Sequence, residues 1–154
     1  MPLRRKNVAT ETGKLGDHEV LLNVRTRFLA ADLVAAPGAV LLPATSRGKY
    51  RLVDAFMIAN GGAAGGSTSI NLVGIQAGAR VALMTALVAG LTQSAILDIG
   101  TANAAALANG ASTLPCDINT ALFVERVGAA LTGATSIDVV ATYALESASM
   151  QSGT

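Results

Sequence analysis

Residues 136–146 read Ser-Ile-Asp-Val-Val-Ala-Thr-Tyr-Ala-Leu-Glu, and this stretch decides the fold. Ile137, Val139, Ala141, Tyr143 and Leu145 fall on one side of the pattern; Asp138, Val140, Thr142, Ala144 and Glu146 fall on the other. Successive side chains of an extended chain point to opposite faces, so a period of two is the signature of a half-buried strand. Residues 18–29 repeat the pattern near the other end of the chain. Val20, Leu22, Val24, Thr26 and Phe28 form one face, and Glu19, Leu21, Asn23, Arg25 and Arg27 the other.

Between these two stretches, strand and turn signals recur about every ten residues. Residues 30–36 suit a helical turn stopped by Pro37-Gly38, and residues 39–42 a short strand ended by Pro43. Residues 50–60 are strand-like, with Leu52, Asp54, Phe56 and Ile58 expected opposite Val53, Ala55 and Met57. A glycine-rich turn at 61–66 is expected to join them to a strand over 67–76 as a hairpin with a long connection, and Gly74 to mark a bulge or a close approach. Residues 79–91 read as a strand to about Thr85 followed by a helical turn or loop. Residues 95–99 form a short strand closed by Gly100, and 101–116 a loop with at most one short strand. Residues 118–127 and 136–146 are expected to form a last strand pair. About eight short strands define an all-β class, a β-sandwich or jelly-roll-like single domain. Residues 1–17 are expected to form an extended basic N-terminal arm, 18–146 the sandwich body and 147–154 a flexible tail.

The composition narrows the function. Of the 154 residues 51% are hydrophobic but only 3% aromatic, so Ala and Gly supply much of the bulk. Charged residues make up 14%, well below the usual quarter or so, and a chain so poor in charge tends to hide surface in a partner. Nine of the eleven Lys and Arg lie in residues 1–51, and only Arg80 and Arg126 follow. The result is a basic front and an acidic remainder, suited to docking on an acidic neighbour. The arm's Arg4, Arg5 and Lys6 are not followed by an apolar run, so they do not read as a signal peptide. The longest apolar run, residues 81–91, falls short of the roughly 20 residues of a transmembrane helix, so no membrane partner is expected.

The candidate chemistry is thin. With His18 as the one histidine and Cys116 as the one cysteine, no zinc set of the usual kind forms within one chain, and no Gly-x-Ser-x-Gly elbow is present. Cys116 reads as a small buried hydrophobe. Residues 61–68 imitate a phosphate-binding loop but lack its lysine, and a strand rather than a helix follows. Asp98, Asp117, Glu125, Asp138 and Glu146 offer carboxylates for glycoside hydrolysis, yet their strand positions suggest exposed faces or turn caps. There is no Trp to build a sugar platform. Arg25 and Arg27 share a strand face without stacking aromatics beside them, so no specific nucleic-acid contact is expected. No catalytic residue, cofactor or metal is assigned, and the chain is read as not an enzyme.

The run Lys-Tyr-Arg-Leu-Val-Asp-Ala-Phe-Met-Ile at 49–58, the glycine turn at 61–66, the strand at 67–76 and the closing Leu-Thr-Gly-Ala-Thr-Ser-Ile-Asp-Val-Val-Ala-Thr-Tyr at 131–143 carry a resemblance. Over residues 48–146 the chain resembles the capsid decoration, or cement, proteins of tailed bacteriophages. The resemblance implies a β-sandwich or jelly-roll module on the outer capsid surface of the virion, partnered by the major capsid protein and by copies of itself in a dimer or trimer. The expected capsid contacts are Arg4, Arg5, Lys6 and Lys14 of the arm, then Arg25 and Arg27 of the first strand face. The oligomer interface is expected on apolar strand faces of the body. Two other readings share the composition: a tail, fibre or head-completion protein, and a glycan-adhesive β-sandwich on the virion.

Overall fold

The computed structural model describes residues 21–147. Nine strands are joined by loops and short 3₁₀ turns: β1 (Leu21–Leu29), β2 (Ala39–Leu42), β3 (Gly48–Asn60), β4 (Gly65–Gln76), β5 (Ala79–Leu87), β6 (Ile96–Asp98), β7 (Ala104–Ala106), β8 (Leu122–Thr132) and β9 (Ser136–Ser147). They form two antiparallel sheets, one ordered β1-β9-β3-β6 and the other β2-β8-β4-β5-β7. The protein is thus an all-β sandwich with a single core. The expected helical turns are 3₁₀ turns at Ala30–Asp32 and Val88–Gly90, and β9 runs one residue past the expected body boundary. The expected arm, with Arg4, Arg5, Lys6 and Lys14, lies outside the described residues, as do His18 and most of the tail.

The core follows from the alternation. Leu52, Met57, Ile137 and Val139 of the first sheet meet Ile70, Leu72, Leu122 and Val124 of the second, all essentially without solvent contact. Ala55, Ala59, Ala86, Ala104 and Ala141 are buried among them. Methyl-sized side chains let the layers close tightly without aromatic bulk, at the density expected of a protein interior.

Two expected strand pairings are corrected. β3 and β4 do not form a hairpin, because β3 bonds to β9 and β6 while β4 bonds to β8 and β5. Nor do β8, which starts at Leu122 rather than near 118, and β9 pair with each other; β9 lies between β1 and β3, and β8 between β2 and β4. Both connections step from one sheet to the other. The glycines that resemble hairpin signals instead let these two crossovers touch. Gly62 (φ 151°) backs onto the Gly133 carbonyl, and Gly133 (φ 78°) onto the Ala63 carbonyl, leaving no room for a Cβ at either. The Thr135 amide and hydroxyl both donate to the Asn60 carbonyl, at 2.9 and 3.1 Å, which ties the two crossovers together.

The face assignment along β3 is also corrected. Pairing with β9 shifts between Leu52 and Asp54, so Val53 is an extra residue and the phase reverses there. Leu52 therefore points inward with Ala55, Met57 and Ala59, while Asp54 is exposed and Phe56 and Ile58 are half-buried. A bulge adds one residue to one strand, and strict alternation cannot register it. Gly74 is a close approach, as expected: a Cβ there would stand 2.5 Å from the Cys116 sulfur.

Candidate assembly face

Outward-facing residues of the first sheet gather the polar chemistry of the body. On β1, Val24, Thr26 and Phe28 turn toward the core, and Asn23, Arg25 and Arg27 turn out, which is the face the sequence assigns them. β1 pairs with β9 over all nine residues without a break, setting Arg27 opposite Asp138, Arg25 opposite Val140 and Asn23 opposite Thr142. Cross-strand neighbours stand about 5 Å apart at Cβ, within reach of long side chains. Arg27 donates Nε to Asp138 Oδ1 at 2.7 Å and Nη2 to Oδ2 at 3.1 Å, a bidentate fork. Arg25 donates Nη2 to the same Oδ2 at 2.6 Å. The Asn23 amide donates to the Thr142 hydroxyl at 3.0 Å, and Arg51 on β3 pairs with Glu146 on β9 at 3.1 Å.

One carboxylate therefore serves two guanidinium groups. Asp138 is 1% exposed, while Arg25 and Arg27 are 62% and 58% exposed. The Arg27 fork lowers the Asp138 carboxyl to about 2, its burial opposes this, and Arg25 adds to the lowering. The same fork raises the Arg27 guanidinium above its usual value. Asp138 stays ionised, fixes both arginines on one row and leaves that row with an unmatched positive charge. Beside it lie Val140, Phe56 and Ile58, with exposed Ile96 at the far edge. Ile96, Leu21 and Leu29 are the most exposed large apolar residues. The arrangement can hold an acidic, partly apolar surface by charge-assisted hydrogen bonds.

The other candidate groups are engaged elsewhere. Asp117 accepts from the Ala77 and Gly78 amides at 3.0 and 2.7 Å and so caps the β4–β5 turn. Glu125 pairs with Arg80 at 2.6 Å, and the Arg80 guanidinium lies 4.9 Å from the centre of the Phe123 ring. Cys116 is buried, and that burial raises its thiol to about 11, the behaviour of a packed hydrophobe rather than a nucleophile. The phosphate-loop look-alike at 61–68 is a crossover followed by β4, so no helix N-terminus faces it. What sequence reading misses is that Asp138 organises Arg25 and Arg27. Its one available sign is an acid amid Ile137, Val139 and Val140.

Among the described residues no helix is long and apolar enough to cross a membrane, and no group of three His, Cys, Asp or Glu side chains is placed to hold a metal. No family model, curated protein or solved structure matches the chain.

Proposed function

We propose that this chain is a non-enzymatic structural protein of a phage virion, binding the outer surface of the major capsid protein lattice and stabilising the head. The observation that carries the reading is the Arg25–Asp138–Arg27 row: two exposed guanidiniums held in place by one buried carboxylate, on the strand that the basic N-terminal residues lead into. A surface that must bind an acidic lattice benefits from charges fixed before contact, because less side-chain entropy is lost on docking. The well-packed sandwich supplies a stiff body for that face, and the likeness of residues 48–146 to cement proteins points the same way.

The test uses heads of the parent phage prepared without this protein and then incubated with it. Saturable binding of many copies per head is expected, weakening as salt rises, since exposed charges are screened over about 10 Å at 0.1 M salt. Deleting residues 1–17 is expected to lower occupancy at least about tenfold, the equivalent of a lost charge-assisted contact or two, with the thermal transition of the body unchanged. Undiminished occupancy by the truncated chain would remove the arm from the proposal. No binding by the intact chain would remove the capsid.

A further inference from the structure

Four strands form sheet edges, and three of them are blunted. β2 has four residues and is followed by Pro43, while β6 and β7 have three each. β1 is different. It has nine residues, pairs with β9 without a bulge and, among the described residues, bonds to no strand on its other side. Leu21, Leu22 and Leu29 are exposed along it. A long, regular, apolar edge is a template for another strand, and natural proteins normally shorten, bulge or cover such an edge.

The sequence says which strand fits. Residues 17–27 read Asp-His-Glu-Val-Leu-Leu-Asn-Val-Arg-Thr-Arg. About Leu22 the stretch is complementary to itself when reversed. Asp17 mirrors Arg27, Glu19 mirrors Arg25, Leu21 mirrors Asn23, Val20 mirrors Val24 and His18 mirrors Thr26. We propose that two copies of the chain associate by antiparallel pairing of residues 17–27 across the β1 edge, with a two-fold axis at Leu22.

In that register every acid of one copy stands opposite an arginine of the other, on the outward face that Arg25 and Arg27 already occupy. Val20, Leu22 and Val24 form an apolar row on the core side. The row in which two arginines share Asp138 thereby receives two more carboxylates from the second copy. Other registers are worse. Centring the pair on Arg25 sets arginine against arginine, which is repulsive between opposed strands. Sliding by two residues either way keeps only one of the two kinds of ion pair. An isologous contact of this type closes at two copies and joins both first sheets into one. The inference is independent of the capsid reading, because it needs no lattice.

The test uses the full-length protein in solution. Sedimentation at micromolar concentration is expected to give twice the chain mass. The D17R/E19R variant, which leaves the described body untouched, is expected to give the monomer mass with an unchanged circular dichroism spectrum. Leu22→Cys is expected to cross-link to itself under mild oxidation, since residues facing each other on the two-fold satisfy disulfide spacing. Thr26→Cys, which faces residue 18 of the second copy, is expected not to. A monomeric wild-type chain, a dimer that survives D17R/E19R, or stronger cross-linking through position 26 than through 22 would each overturn the pairing. A dimer that ignores capsids would leave this inference standing and remove the function proposed above; a capsid-binding monomer would do the reverse.

Discussion

Asp138 is the residue on which the outer face turns. It is as buried as the core leucines, yet it is charged, and it is tolerable there because Arg25 and Arg27 together give it three hydrogen bonds. Its carboxyl sits at about 2 when folded and at its ordinary value near 3.8 when unfolded. A depressed carboxyl stabilises the fold fully above the unfolded value, and the benefit fades as pH falls through the folded one. The shift corresponds to about 2 kcal/mol, and the mostly exposed arginines place the contribution toward the lower side of that figure. Asp138→Asn keeps the shape and removes the charge. It is expected to lower stability at neutral pH by about 1–2 kcal/mol in urea unfolding. The gap to wild type should narrow between about pH 4 and pH 2. A gap that stays constant over that range would mean that the charge is not what the arginines hold. The sequence places Arg25 and Arg27 on their face correctly, because alternation reports faces. It does not reveal their shared anchor, because Asp138 lies 111 residues away from Arg27 and only the β1–β9 register brings them together.

At the scale of elements, the β4–β5 hairpin shows how a local turn depends on a distant side chain. Gln76 and Ala79 are the last paired residues, and the two between them, Ala77 at φ 49° and Gly78 at φ 77°, both adopt left-handed backbone. That is the two-residue turn whose twist suits a hairpin, and Asn-Gly is its preferred sequence; alanine is a poor first residue there. Asp117 compensates by accepting from both turn amides. Asp117→Ala is therefore expected to cost about 1–2 kcal/mol through loss of charge-assisted bonds, and Ala77→Asn to recover part of that loss by easing the left-handed position. Urea melts of the two single variants and the double variant measure both effects. If Asp117→Ala leaves stability unchanged, the cap contributes nothing and Ala77 is held by its strands alone. The same elements show the reach of periodicity. Strand positions were legible from alternation and turn residues, including the short β2 and the 3₁₀ turn after β5. The phase of β3 was not, since its extra residue at Val53 is specified by pairing with β9 rather than by a glycine or proline in its own sequence.

For the molecule as a whole, the question is what holds two sheets in one sandwich when only β4 and β5 are neighbours both in sequence and in a sheet. Alternation identifies strands but is silent on their neighbours, so the crossovers at 61–64 and 133–135 resembled hairpin loops. Their glycines carry the distinction, and two substitutions separate its parts. Gly78 and Gly133 have nearly the same backbone, φ 77° and 78°, but a Cβ on Gly78 would meet nothing within 4 Å, whereas one on Gly133 would strike the Ala63 carbonyl. Gly78→Ala thus measures the left-handed penalty alone, about 1–2 kcal/mol. Gly133→Ala adds displacement of one crossover by the other and is expected to cost at least about 1 kcal/mol more, since packed backbone yields poorly to an inserted group. The excess should appear as faster amide hydrogen exchange at Thr135, whose amide bonds to Asn60, relative to exchange in β4 and β5, because an opening confined to the crossovers leaves the hairpin closed. Equal costs for the two substitutions would mean that the crossovers merely lie side by side, and that the sheets are held together by the apolar core without help from their connections.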